Sequence, residues 1–139
     1  MSQPQPAPSS VKLTQDIMTT NVICVKGEMT VRDAIKLLMD HKISGAPVVD
    51  GTNNLLSVLT QGDLLRLAAL RGLDKHIGAC LNDVPSTGKV VTVSRKDPLT
   101  ETYKKFLSTK LHRLIVVDDA GKLQGIVSRS DILKHLCNP

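Results

Sequence analysis

The chain has 139 residues, 41% of them hydrophobic but with one Phe, one Tyr and no Trp, and a formal net charge of +5. That length fits one compact domain, or two small halves sharing an aliphatic core. The scarcity of aromatic rings argues against single-stranded nucleic-acid binding, which relies on stacked bases, and no stretch approaches the roughly 18 apolar residues of a membrane span.

The basic excess is interspersed with acidic residues, as on an ordinary soluble surface, and it suits phosphate-bearing partners. The three cysteines (Cys24, Cys80, Cys137) are odd in number and widely spaced, and the four histidines form no HxxxH pair. They outline neither a disulfide framework nor a metal site.

Residues 1–10 hold three of the seven prolines with Gln and Ser. Such a composition cannot bury enough apolar surface to order itself, so this is expected to be a disordered tail. It lacks the basic and apolar regions of a secretory signal, which points to the cytoplasm. Repeat one is expected over residues 11–72. It begins with a strand at 21–25 (NVICV) and a helix capped by Thr30 with Asp33 three residues on. Val31, Ala34, Ile35, Leu38 and Met39 make that helix's apolar stripe. Strands at 46–50 and 55–60 flank Gly51-Thr52-Asn53-Asn54, a turn composition that tolerates positive φ, and a helix follows at 62–71. A connector at 73–88, broken by Gly78, Pro85 and Gly88, is expected to hold a short central helix.

Repeat two is expected over 89–139. A strand at 90–94 leads to a helix capped by Asp97 with Pro98 in its first position and a stripe of Leu99, Tyr103, Phe106 and Leu107. Strands at 114–118 and 123–128 flank Asp119-Ala120-Gly121-Lys122, and a helix closes the chain at 129–136. Sliding the sequence by 68 residues aligns the two copies without a gap from Ile23 and Val91 onward: Val48-Val49-Asp50 falls on Val116-Val117-Asp118, and Asp63 on Asp131. The chain is therefore two tandem β-α-β-β-α units, an α/β (α+β) fold.

No Walker lysine loop, GxGxxG, GxSxG or HExxH is present, so the motifs of the common nucleotide-binding and hydrolytic folds are absent. Both copies instead place hydroxyl-x-x-Asp where the last strand enters the last helix: Thr60-Gln61-Gly62-Asp63 and Ser128-Arg129-Ser130-Asp131. Amides at a helix start carry partial positive charge. A carboxylate there can accept two hydrogen bonds from a ribose diol, with the hydroxyl on sugar or phosphate. The same pattern also serves as a helix cap. The second copy adds His112, Arg113 and Arg129, and an Arg fork suits phosphate. The first copy has Ser44 and Gly45 where the second has His112 and Arg113.

These residues resemble a tandem cystathionine-β-synthase (CBS) domain pair, or Bateman module. The carriers in the first copy are Asp16-Ile17-Met18-Thr19, Ile43-Ser44-Gly45-Ala46-Pro47-Val48-Val49-Asp50 and Val58-Leu59 before Thr60-x-x-Asp63. In the second they are Leu111-His112-Arg113-Leu114-Ile115-Val116-Val117-Asp118 and Gly125-Ile126-Val127-Ser128-x-x-Asp131-Ile132-Leu133, which are similar to repeats of the γ subunit of AMP-activated protein kinase. Ser57 stands where the second copy has Gly125, and Ile115 where the first has Pro47.

The resemblance implies two CBS repeats related by a pseudo-twofold axis, with clefts between them. Ribose would be held by Thr60 and Asp63 and by Ser128 and Asp131, and phosphate by His112, Arg113 and Arg129. Adenine would lie near Asn21, Val22, Ala46, Pro47, Lys89, Val90 and Leu114. It also assigns His112 and Arg113 to the ligand of Asp63, and implies a homodimer.

The function expected is a non-enzymatic sensor of AMP, ADP or ATP, without cofactor, that acts on an effector protein. S-adenosyl compounds, NAD and cyclic dinucleotides share the ribose that an Asp reads. An interaction module without ligand, nucleic-acid binding and nucleotide hydrolysis are the alternatives, in that order.

Overall fold

A computed structural model of the protein describes residues 12–138, so the tail expected at 1–10 lies outside the described residues. Two compact units are present, and they are not the two halves of the chain. One contains Asp63 and is built from residues 23–91 with 121–123. The other contains Asp131, and its described residues are 12–22, 92–120 and 124–138.

In the Asp63 unit the elements are β1 (Val25–Lys26), α1 (Val31–Asp40), β2 (Gly45–Val49), β3 (Leu55–Thr60) and α2 (Gln61–Arg71). The sheet order is β1-β2-β3. β1 pairs in parallel with β2 (Val25 opposite Val48), and β3 runs antiparallel to β2, from Gly45 opposite Thr60 to Val49 opposite Leu55. Helix α1 starts where expected: Thr30 Oγ1 accepts the Asp33 amide at 3.1 Å and Asp33 returns a bond to Thr30 N. That bond to a main-chain amide holds the Asp33 carboxyl below its usual range. Val31, Ala34 and Leu38 are fully buried, and they pack with Val25, Val48, Leu59, Leu64 and Leu67. Each buried Val or Leu among them stabilises the fold by about 1.5–3 kcal/mol. The connector completes this core with Ile77, Cys80 and Val84. Its expected helix is two short 3-10 turns, Ile77–Ala79 and Leu81–Asp83.

The β2–β3 hairpin is drawn tight by Asp50. Its Oδ1 accepts Thr52 N and Asn54 N, both at 2.9 Å, and Thr52 Oγ1 at 3.0 Å, while Oδ2 accepts Asn54 Nδ2. These donors, the Asn54 amide foremost, lower the carboxyl to about 2. Asn53 takes the positive φ (68°) that the turn needs. It also accepts Leu123 N and donates to Leu123 O, which brings residues 121–123 into this unit.

In the Asp131 unit the elements are β4 (Thr92–Ser94), α3 (Leu99–Thr109), β5 (Arg113–Val117), β6 (Leu123–Ser128, all but Leu123) and α4 (Arg129–Cys137). The sheet order is β4-β5-β6, with β4 parallel to β5. Val93, Phe106, Leu114, Val116, Val127 and Ile132 form its core, with Ile17 and Met18 packed against them.

Several expected boundaries shift. The first strand is Val25–Lys26 rather than 21–25, because β2 offers only Val48 and Val49 as partners. β4 likewise starts at Thr92, not at 90. Asp97 does not cap α3: its Oδ2 turns back to accept Ser94 N at 2.9 Å, and Pro98 becomes the N-cap. The stripes are also narrower than expected. Met39 is 52% exposed and Leu107 83%, whereas Thr102 is fully buried through a 2.6 Å hydroxyl pair with Thr14.

Each unit borrows a segment from outside its repeat, and both borrow it in the same way. Residues 12–22 complete the second repeat: Thr14 N donates to Asp97 O, Gln15 N to Arg95 O, and Leu99 N to Lys12 O. The connector completes the first with the same three bonds: Ile77 N to Met29 O, Gly78 N to Gly27 O, and Val31 N to Lys75 O.

Candidate functional site

In each unit the last strand runs directly into the last helix. Thr60, still extended at the end of β3, caps α2: its Oγ1 accepts Asp63 N at 3.1 Å, and Asp63 Oδ2 accepts Thr60 N and Thr60 Oγ1, both at 2.9 Å. Ser128 caps α4 in the same way. Ser128 Oγ accepts Asp131 N at 3.1 Å, and Asp131 Oδ2 accepts Ser128 N at 2.8 Å. A box of this kind contributes about 1 kcal/mol to its helix.

Capping engages only Oδ2 of each carboxylate. Oδ1 of Asp131 has no hydrogen-bond partner among the described residues, and Oδ1 of Asp63, on a side chain 13% exposed, meets only the half-exposed Arg66 at Nη1, 3.5 Å away. Cap and ligand grip are therefore compatible: one oxygen holds the helix start while the other can accept a hydroxyl.

The residues beside the two junctions occupy equivalent places and differ in charge. In the Asp131 unit, Arg129 N donates to His112 O (3.1 Å) and Arg129 Nε to Leu111 O (2.9 Å), so the guanidinium is tethered beside His112 and Arg113, both exposed. In the Asp63 unit, Gln61 N donates to Ser44 O (3.0 Å) and Gln61 Nε2 to Ile43 O (3.4 Å). Gly45 lies opposite Thr60 there, and a Cβ on it would stand 3.0 Å from Leu59 O. A side chain at the counterpart of Arg113 would thus press on the backbone.

The residues expected to line an adenine pocket divide in two. Ala46, Pro47 and Leu114 are buried, and the side chains of Ala46 and Leu114 belong to the cores. Asn21 and Lys89 are exposed, and Val22 and Val90 half-buried. Sequence patterning placed Asn21 and Val22 with the first repeat, but the structure joins them to the unit of Ser128 and Asp131. Thr19 and Ile126 exchange main-chain bonds of 2.8 and 2.9 Å, two residues before Ser128. Lys89 and Val90 belong to the unit of Thr60 and Asp63, where Ser86 Oγ accepts Val58 N and donates to Val58 O.

From sequence, Thr19 is only a carrier of the family resemblance, and Ser86 has no assigned role. The signal that could have found them is the Ser57/Gly125 difference. A Cβ on Gly125 would lie 2.7 Å from Thr19 O, so a side chain is excluded where a main chain crosses β6. Ser57 is allowed because a hydroxyl meets β3 instead.

A CBS domain model matches the chain at residues 14–70 and 81–138. The chain belongs to the CBS domain family. As a CBS pair it is 32% identical to the CBS domain-containing protein CBSX2, chloroplastic, of Arabidopsis thaliana, over 93% of this chain and 65% of that protein. The crystal structure of CBSX2 in complex with AMP matches the fold with a TM-score of 0.75 at 30% identity, covering 91% of this chain and 96% of that one. The 5'-AMP-activated protein kinase subunit gamma of Saccharomyces cerevisiae is 30% identical over 86% of this chain and 35% of its own length. The chain thus spans about two thirds of the first relative and a third of the second. Among the described residues no helix is long and apolar enough to cross a membrane.

Proposed function

We propose that this CBS pair is a regulatory, non-catalytic module that binds an adenine nucleotide (AMP, ADP or ATP) and passes its occupancy to an effector protein. The observation that carries the proposal is the duplicated capping box: Asp63 and Asp131 each hold a helix start with Oδ2 and leave Oδ1 outside the cap, where a ribose hydroxyl can meet it, on Asp63 in exchange for a 3.5 Å contact to Arg66 Nη1. Arg113, His112 and the tethered Arg129 supply the cationic side for phosphate. The AMP complex of CBSX2 supports the choice of ligand. The likeness to the yeast kinase subunit supports a regulatory role.

The neutral Ser44, Gly45 and Gln61 favour a second reading for the Asp63 unit alone, an adenosyl compound without phosphate. Exposed Leu65 and Leu133, at equivalent positions of α2 and α4, suit a homodimer.

The test is a thermal-shift series. AMP at about 100 times its dissociation constant stabilises a folded protein by ~2.7 kcal/mol, and the double variant Asp63→Ala, Asp131→Ala should lose that shift entirely. An undiminished shift in the double variant rejects the assignment. S-adenosylmethionine in the same panel separates the two readings.

A further inference from the structure

The Asp63 unit holds its Lys89–Val90 segment by a device that the Asp131 unit lacks. In the Asp131 unit the segment leading to Asn21 lies on β6 through paired main-chain bonds between Thr19 and Ile126. Val58 is the counterpart of Ile126, and its amide and carbonyl are met by one side chain: Val58 N donates to Ser86 Oγ at 3.1 Å, and Ser86 Oγ donates to Val58 O at 2.8 Å.

The remaining protons fall into place around that pair. Ser86 gives its single proton to Val58 O, so the fully buried Ser57, 2.9 Å away, must donate to Ser86. Thr87 Oγ1 donates to Leu81 O at 2.7 Å and lies 3.1 Å from Ser57 Oγ. Two residues further on, Gly88 N reaches Leu56 O at 3.3 Å, and Lys89 N bonds back to Ser86 O at 2.8 Å. Thr87 touches β3 only at the Ser57 hydroxyl, so the side chain that grips the β3 main chain before Lys89 and Val90 is Ser86, at Val58, two residues along the strand from Thr60.

We propose that Ser86 is a positioning residue for the Asp63 site: its hydroxyl stands in for a strand and sets the wall that Lys89 and Val90 form. This rests on the nucleotide reading given above. The segment is held by this clip and one long main-chain bond, Gly88 N to Leu56 O, rather than by a ladder, and ligand affinity at the Asp63 site depends on the clip being closed.

Two measurements test this together. AMP titration calorimetry is run on Ser86→Ala in an Asp131→Ala background, which isolates the Asp63 site, and in an Asp63→Ala background, which isolates the other. Amide hydrogen exchange is followed at Val58 and Ile126 without ligand. Removing Ser86 Oγ leaves the half-buried Val58 amide and carbonyl without their partner, so affinity at the Asp63 site should fall about tenfold and exchange at Val58 should rise about tenfold. The Asp131 site and the Ile126 amide should stay within about twofold. Ser86→Thr, which keeps a hydroxyl, should restore both. Ser57→Gly, which leaves both Ser86–Val58 bonds in place, should cost far less.

Unchanged affinity at the Asp63 site overturns the proposal, and so does an equal loss at both sites. If the wild-type protein binds no AMP, the nucleotide reading fails on its own. The clip is then judged by exchange: equal rates at Val58 in wild type and Ser86→Ala overturn it.

Discussion

The two units share a sheet order, a capped last helix and the same three backbone bonds to a borrowed segment, yet they differ where that segment crosses the sheet and in the charges beside the cap. One uses the main chain of Thr19 and tolerates only glycine beneath it. The other uses the hydroxyl of Ser86 and keeps Ser57. One surrounds its junction with His112, Arg113 and Arg129, the other with Ser44, Gly45 and Gln61. After duplication, the features that hold the fold stayed matched while the immediate neighbours of the junction diverged. That is where a difference in ligand or occupancy between the sites would be written.

The contrast beneath the borrowed segment is expected to give the largest effect. Gly125→Ala drives a Cβ to 2.7 Å from Thr19 O and 2.9 Å from Met18 Sδ. The strand or the segment must move, at about 1–3 kcal/mol. The equivalent Ser57→Ala adds no atom there and should cost about 1 kcal/mol through the lost hydroxyl. Urea unfolding of both variants checks the ordering, and equal losses would show that the segment does not press on β6.

The contrast in charge comes next. Arg113→Ala should weaken AMP binding about tenfold, the loss of one charge-assisted contact, and leave adenosine binding unchanged. Calorimetry with both ligands reads the ratio. A parallel loss for adenosine would move Arg113 from phosphate recognition to folding.

The smallest effect concerns the hairpins. Asp50 has its carboxyl lowered from 3.8 to about 2 by the amides it accepts. A group depressed in the folded state stabilises it above the unfolded value, and that contribution is lost as the pH falls from about 4 through about 2. Asp50→Asn should therefore lower the melting temperature at neutral pH and flatten the acid limb over that window. An unchanged acid limb would remove Asp50 from the list of groups that matter.

Much of this was legible in the sequence because it is local. The Thr30, Thr60 and Ser128 caps, the Asn53 turn and the buried 31, 34, 38 face follow from neighbours within one helical turn. The capping boxes were also visible as the alternative to a ligand site. What the sequence left undecided was which oxygen of each carboxylate the cap takes, which depends on how the side chain turns. Asp97 misled because its side chain closes on Ser94 rather than on the helix, and Leu107 because the face of α3 toward the core is narrow. The borrowed segments were illegible for a different reason: bonds such as Leu99 N to Lys12 O join residues far apart in sequence, and periodicity holds no trace of them.

That exchange also sets an order of assembly. On a ribosome, residues 12–22 have nothing to fold against until β4 and β6 have been made, so this segment must wait for partners that come much later in the chain. The Asp63 unit can gather most of its parts earlier, since β1 through the connector arrive consecutively. The Asp131 unit is thus completed by a segment made well before the strands it joins.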